Sequence, residues 1–158
     1  MSHKHRPPRD RRGVAAVEFA VVAPVLLTIM FAMIQLNRSY EAQNLLETAA
    51  REGARFASMD RDGMLTDGQT ANGKLAEDVK TFLESNGLPR EGITVEVKDA
   101  DDPSLDFDIA DPDNDLRLFE VRVSVDYSDI SYMSVGADSD YAMSASVYFR
   151  NGRATISD

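Results

Sequence analysis

From Phe19 to Leu36 the chain carries no charged residue, and Ala, Val, Leu, Ile, Met and Phe dominate. No other feature restricts the fold so strongly. Counted from Val14 the run is 23 residues, which as a helix spans about 34 Å, against roughly 30 Å for the hydrocarbon core of a bilayer. A secretory signal peptide needs a shorter apolar core closed by a small-x-small cleavage site. Here the run leads into QLNRSYEAQN, which has no Ala-x-Ala pattern. The sequence therefore predicts a retained membrane helix over residues 14–36. Five basic residues precede it (Lys4, Arg6, Arg9, Arg11, Arg12) and Arg38 alone follows closely, which puts the N-terminus in the cytoplasm and the body outside. Tyr40 falls at the outer interface. Pro24 cannot donate to the carbonyl of Ala20, so a kink or local unwinding is expected there.

Glu18 breaks the pattern at the mouth of the run. A carboxylate in that position is costly unless something pairs with it, and the alternative is a side chain reaching to the interface.

Charge is divided unevenly. The first 13 residues hold five of the 17 basic residues and one of the 27 acidic ones, leaving 12 against 26, a net of −14, beyond Gly13. Such a body repels phosphate backbones, which argues against nucleic acid as a partner. There is no cysteine, and both histidines, His3 and His5, lie in the basic head. Beyond that head, thiol and imidazole nucleophile chemistry and ordinary His/Cys metal sites are excluded.

Past the membrane run the pattern turns amphipathic with no breaker. Ala42, Leu45, Leu46, Ala49, Ala50, Gly53, Phe56 and Ala57 recur at helical spacing. The face is mostly small, and its packing residues Ala49, Ala50, Gly53 and Phe56 admit close approach of either this chain's own sheet or another subunit's helix. A turn-rich connector, DRDGMLTDGQTANG, leads to a second helix, capped by Asn72, with Leu75, Val79, Phe82 and Leu83 on one face and Gly87 and Pro89 closing it. Three segments then alternate with period two, starting at Ile93, Phe119 and Tyr141. RNGRATI adds a turn and a short edge strand. The expected fold is α+β: an N-terminal transmembrane helix continuing into an amphipathic helix, a second helix, and a three- to four-stranded antiparallel sheet. The domains are a leader at 1–13, the membrane helix at 14–36 and an extracytoplasmic domain at 37–158.

Between the first two strands lie eight aspartates from Asp99 to Asp115. Asp111, Asp113 and Asp115 stand at positions one, three and five of an EF-hand-like loop and are the metal candidates, with calcium the cation suited to carboxylate oxygens. Leu116 replaces the sharp-turn glycine of that motif, and Arg122 replaces its bidentate glutamate. A solvated loop with no cofactor is therefore the expectation. A membrane-anchored calcium-dependent binding module is the alternative, and a tethered carboxylate enzyme is the weakest reading, since no aromatic platform flanks the acids.

The residues around Glu18 supply a resemblance. A short basic leader, a glycine and an apolar helix with glutamate five residues after the glycine is similar to the start of type IV prepilin-like proteins. RRGVAAVEFAVVAPVLL, with its proline eleven residues into the helix, and AAREGARFAS at residues 49–58 resemble the TadE/TadG-like pseudopilins of tight-adherence (Flp) pilus systems. The resemblance covers about the first sixty residues. It implies cleavage after Gly13 by a prepilin-type aspartic peptidase, leaving Val14 first and Glu18 fifth. Cleavage creates an α-ammonium on Val14, which can neutralise Glu18 of a neighbouring subunit. Val14 departs from the Phe or Met common in type IVa pilins, and the chain is longer than the small major pilins. The implied role is that of a minor, non-enzymatic subunit in pilus assembly, initiation or adhesion. It would be held in the bacterial cytoplasmic membrane, with other pilins and the assembly machinery as partners.

Overall fold

The apolar run and the amphipathic stretch after it form one helix, α1, Arg11–Ala57, in the computed structural model of the chain, which describes residues 11–59, 65, 68–130 and 141–152. The rest of the leader, at residues 1–10, and the edge strand expected after Gly152 lie outside the described residues. α1 continues through Pro24 without the expected unwinding. One missing N–H costs the helix one bond, and the Thr28 hydroxyl donates to the Pro24 carbonyl at 2.9 Å on the adjoining turn.

By internal contacts the chain divides into two units, Met1–Asn37 and Arg38–Asp158. In the first, the large apolar side chains from Val14 to Leu36 are exposed. They satisfy no core of this chain, and the helix is long and apolar enough to cross a membrane.

The second unit has a mixed α+β core. The C-terminal part of α1 and helix α2, Ala71–Ser85, pack with a three-stranded antiparallel sheet of order β1-β2-β3, comprising β1 Ile93–Asp99, β2 Leu118–Asp126 and β3 Ala142–Arg150. A short helix, α3 Tyr127–Ile130, follows β2. The period-two residues set the register: Val97 faces Val121 across β1 and β2, and Val121 faces Val147 across β2 and β3. Alternation then delivers Phe119, Val121, Val123 and Val125 to one buried face and Leu118, Arg122 and Ser124 to the other. Leu46, Ala50, Ala54 and Ala57 of α1 and Leu75, Val79 and Leu83 of α2 complete that core.

The cap of α2 differs from the sequence expectation. Thr70 is the N-cap, accepting from the Gly73 amide at 3.0 Å, and Asn72 lies inside the first turn. Both residue types cap well; Asn72 is engaged elsewhere, as described below. At the other end Leu88 N–H donates to Leu83 O and Gly87 N–H to Glu84 O. Gly87 adopts φ +90, so the closing glycine is required by its backbone.

Candidate functional site

Gly13, Val14 and Glu18 all lie on α1, exposed. A Cβ placed on Gly13 would meet nothing within 4 Å among the described residues. Val14 and Glu18 are four residues apart on a helix and therefore share a face. Glu18 is the sole charged residue from Gly13 to Asn37. Among the described residues no group bonds its carboxylate. Valines and Phe19 surround it in sequence, all half exposed or more. A carboxylate in such a setting is costly unless something pairs with it or it reaches the interface.

The acidic loop is built in a different way from a cation cage. Its carboxylates are turned onto the loop's own backbone. Asp99 accepts from Asp101 N–H at 2.9 Å, Asp108 from Ala110 N–H at 2.9 Å, and Asp111 from Asp113 N–H at 3.0 Å. Asp102 accepts from both the hydroxyl and the amide of Ser104, which holds its carboxyl below the ordinary range. Asp106 pairs with Lys98 at 2.7 Å, and that hydrogen bond keeps the Lys98 ammonium above its ordinary pKa. Asp99, nearly buried, pairs with Arg117. Of the metal candidates, Asp111 caps a 3₁₀ turn, Asp113 is exposed, and one Asp115 oxygen is buried without a hydrogen-bond partner. Among the described residues no three acidic, imidazole or thiol groups converge as a metal site. Leu116 does take the left-handed φ, +63, that the motif glycine would supply. Arg122, however, sits within β2 and reaches both oxygens of Glu120 at 3.1 Å.

Two asparagines carry the loop's position. Asn72 of α2 donates to Phe107 O at 2.7 Å and accepts from Ile109 N–H at 3.1 Å. Asn151, wholly buried, donates from its amide to Ile109 O and Asn114 O, both at 3.2 Å, while its backbone pairs with Leu116 and Arg117. Between those clamps Phe107 and Ile109 turn into the core, and Phe107 stacks on Phe119 at 5.3 Å. The sequence marks Asn72 only as a helix cap, and nothing in it marks Asn151. The available signal was the apolar pair Phe107 and Ile109 inside an otherwise acidic loop, which demands anchoring partners.

The small-residue face of α1 is spent inside the chain's own body. Ala49, Ala50 and Gly53 are buried, and Phe56 is half-buried. A Cβ on Gly53 would lie 2.9 Å from Val79 Cγ2 and 3.5 Å from Val121 Cγ1, which marks a close approach of α1 to both α2 and β2. Beside it an open groove of about 380 Å³ runs between α1 and α2, lined by Phe56, Met59, Leu75, Val79 and Phe82. The Lys74 ammonium lies 6.0 Å from the Phe56 ring on that side. No imidazole or thiol enters the groove, since the chain beyond residue 5 contains neither.

Compared with known families, residues 13–55 fit the family model described as TadE-like protein. The match begins at Gly13, takes in Glu18 and ends within the small-residue stripe. No curated protein and no solved structure matches the chain.

Proposed function

The chain carries a TadE-like segment over residues 13–55, and from that premise we propose that it is a minor pseudopilin-like subunit of a tight-adherence pilus system. On this reading it is a structural protein rather than an enzyme, and it serves in assembly, initiation or adhesion. A prepilin-type aspartic peptidase cuts between Gly13 and Val14 on the cytoplasmic side of the membrane. The helix from Val14 to Leu36 stays in the bilayer, and the acidic body lies outside it. Cutting converts the Val14 amide into an α-ammonium on the face that carries Glu18, and in the assembly that cation pairs with Glu18 of a neighbouring subunit. No cofactor is required.

The observation that carries the proposal is Glu18 itself, a lone exposed carboxylate at the mouth of an uncharged helix, without a partner among the described residues. An apolar helix entering a membrane does not hold such a charge without compensation. Support for an amine made by proteolysis comes from the family match starting at Gly13. Mass spectrometry of the N-terminus of the protein from its native host tests it. The mature chain is expected to begin at Val14. A membrane-bound chain that retains residues 1–13 overturns the processing step and the pairing that depends on it.

A further inference from the structure

β3 runs in the same direction as the part of α1 beside it. The Gln43 side-chain amide donates to Ser144 O at 3.4 Å near the start of the strand. Past its other end, a Cβ on Gly152 would lie 3.1 Å from Ser58 O. From 43 to 58 the helix climbs about 22 Å, and from 144 to 152 the strand climbs about 26 Å. Positions along the one therefore translate into positions along the other. Tyr141, three residues before Ser144, lies about 10 Å back from the Gln43 contact. Arg38, on α1, lies only about 7.5 Å back from Gln43. Tyr141 is thus level with Arg38 or slightly beyond it, and Leu36, the last residue of the uncharged run, is two positions before Arg38.

That end of the body gathers aromatic side chains. Tyr127 N–H donates to Tyr141 O at 3.0 Å, and the two rings meet edge-on with centroids 6.0 Å apart. Tyr141 is 64% exposed and Tyr40, on α1, 70%, so the core of the chain uses neither ring. Acid is concentrated at the opposite end, where the loop from Asp99 to Asp115 joins the far ends of β1 and β2. Glu41, Asp126 and Asp129 remain on the near side, all exposed.

We infer that this end of the body is a lipid-contact surface, with Tyr40 and Tyr141 as paired anchors in the headgroup layer of the bilayer that α1 enters. The inference rests on the membrane placement of residues 14–36. The occupant follows from the chain's own continuity. With residues up to Leu36 in hydrocarbon, the headgroup layer starts within two residues of Arg38, and a strand residue level with Arg38 stands in the same layer. Tyrosine suits that layer, having an apolar ring with a polar tip. Tyr40 alone would leave the body free to turn about the helix axis, and Tyr141, carried by the sheet, fixes which side of the body meets lipid. The carboxylates of Glu41, Asp126 and Asp129 hold the contact at headgroup depth, because hydrocarbon would strip them of water. The surface lies wholly within the Arg38–Asp158 unit and does not depend on cleavage at Gly13.

The chain contains no tryptophan, so a single introduced indole reports on one place. Full-length Tyr141→Trp is reconstituted into phosphatidylcholine vesicles that contain a nitroxide lipid, labelled either on the headgroup or in the middle of the acyl chain. Two variants serve as controls. Tyr148→Trp lies on the same strand, is 57% exposed before substitution and stands about 23 Å further along it. Phe31→Trp lies in the apolar run. The headgroup nitroxide is expected to quench Tyr141→Trp several-fold more than Tyr148→Trp, and the mid-chain nitroxide to quench Phe31→Trp most. Ala142→Trp, exposed and next on the strand, leaves the Tyr127–Tyr141 pair intact and should follow Tyr141→Trp. Quenching at 141 and 142 no stronger than at 148, with Phe31→Trp quenched, overturns the inference and leaves the membrane helix standing. Stronger quenching of Tyr141→Trp from mid-chain than from the headgroup overturns the headgroup placement. Phe31→Trp untouched by either lipid overturns the membrane helix and the inference with it.

Discussion

Asn151 holds what the seventeen residues from Asp99 to Asp115 cannot hold among themselves. Asp99, Asp102, Asp108 and Asp111 fasten single turns, each accepting from an amide two residues on, and such turns are local. Position relative to the sheet comes from Asn151, whose amide spans Ile109 O and Asn114 O. Replacing it with a side chain of similar size and no polarity strands two carbonyls in a dry site. Asn151→Leu is therefore expected to lower stability by roughly 2–4 kcal/mol, whereas Asp108→Ala, which frees one exposed amide to water, should cost under about 1 kcal/mol. Urea denaturation of the two variants in detergent, followed by circular dichroism, measures both. Equal effects would mean that the Asx turns and not the asparagine set the loop. The EF-hand pattern breaks down for a related reason. Leu116 supplies the backbone turn the motif needs, but the twelfth position falls on β2, where an arginine neutralises the buried Glu120.

Where α1 meets α2 and β2, volume decides. Gly53 costs a helix interior about 1 kcal/mol relative to alanine, so its presence there implies a return in packing. The contact is Val79 Cγ2, 2.9 Å from where a Cβ would stand. Valine in a helix is confined to one rotamer and cannot swing aside. Gly53→Ala should therefore destabilise by roughly 1 kcal/mol net, because the overpacking outweighs the helix propensity gained. In the background of Val79→Ala the sign should reverse, because the obstructing methyl is gone. A double-mutant cycle by thermal denaturation checks this, and additivity of the two changes would rule the close approach out. Much of this arrangement is legible in the sequence. Period-two alternation places all three strands, and small residues at helical spacing mark the face of α1. The same pattern leaves open whether that face meets its own sheet or another subunit, since a stripe of alanines suits either. Thr70 and Asn72 are equally good caps on paper. Only the loop that Asn72 must anchor, 35 residues away, decides between them, and local sequence carries no trace of that distance.

Taken as a whole, the chain segregates its chemistry. A basic head leads an uncharged helix, and a body of net charge −14 beyond Gly13 follows it. That order is a topology signal in itself, and Glu18 is the one charge placed against it. Under the proposed processing and pairing, Gly13 and Glu18 have separate duties, so their variants should fail differently. Gly13→Val puts a branched side chain beside the proposed scissile bond, where glycine presents none, and should accumulate uncleaved precursor in the membrane. Glu18→Ala leaves the apolar helix intact and removes a charge from it, so insertion persists and becomes easier. Processing continues, yet incorporation into the assembly is lost. Removing one partner of a poorly solvated pair costs on the order of 3 kcal/mol, over about a hundredfold in subunit affinity. Glu18→Gln keeps the size without the charge and should be nearly as damaging. An immunoblot for precursor size separates the first defect, and recovery of the protein with sheared pili separates the second. Glu18→Ala processed and recovered like the parent would sink the amine–carboxylate pairing while leaving cleavage at Gly13 standing. Precursor accumulation by Glu18→Ala would instead place the carboxylate in recognition by the peptidase.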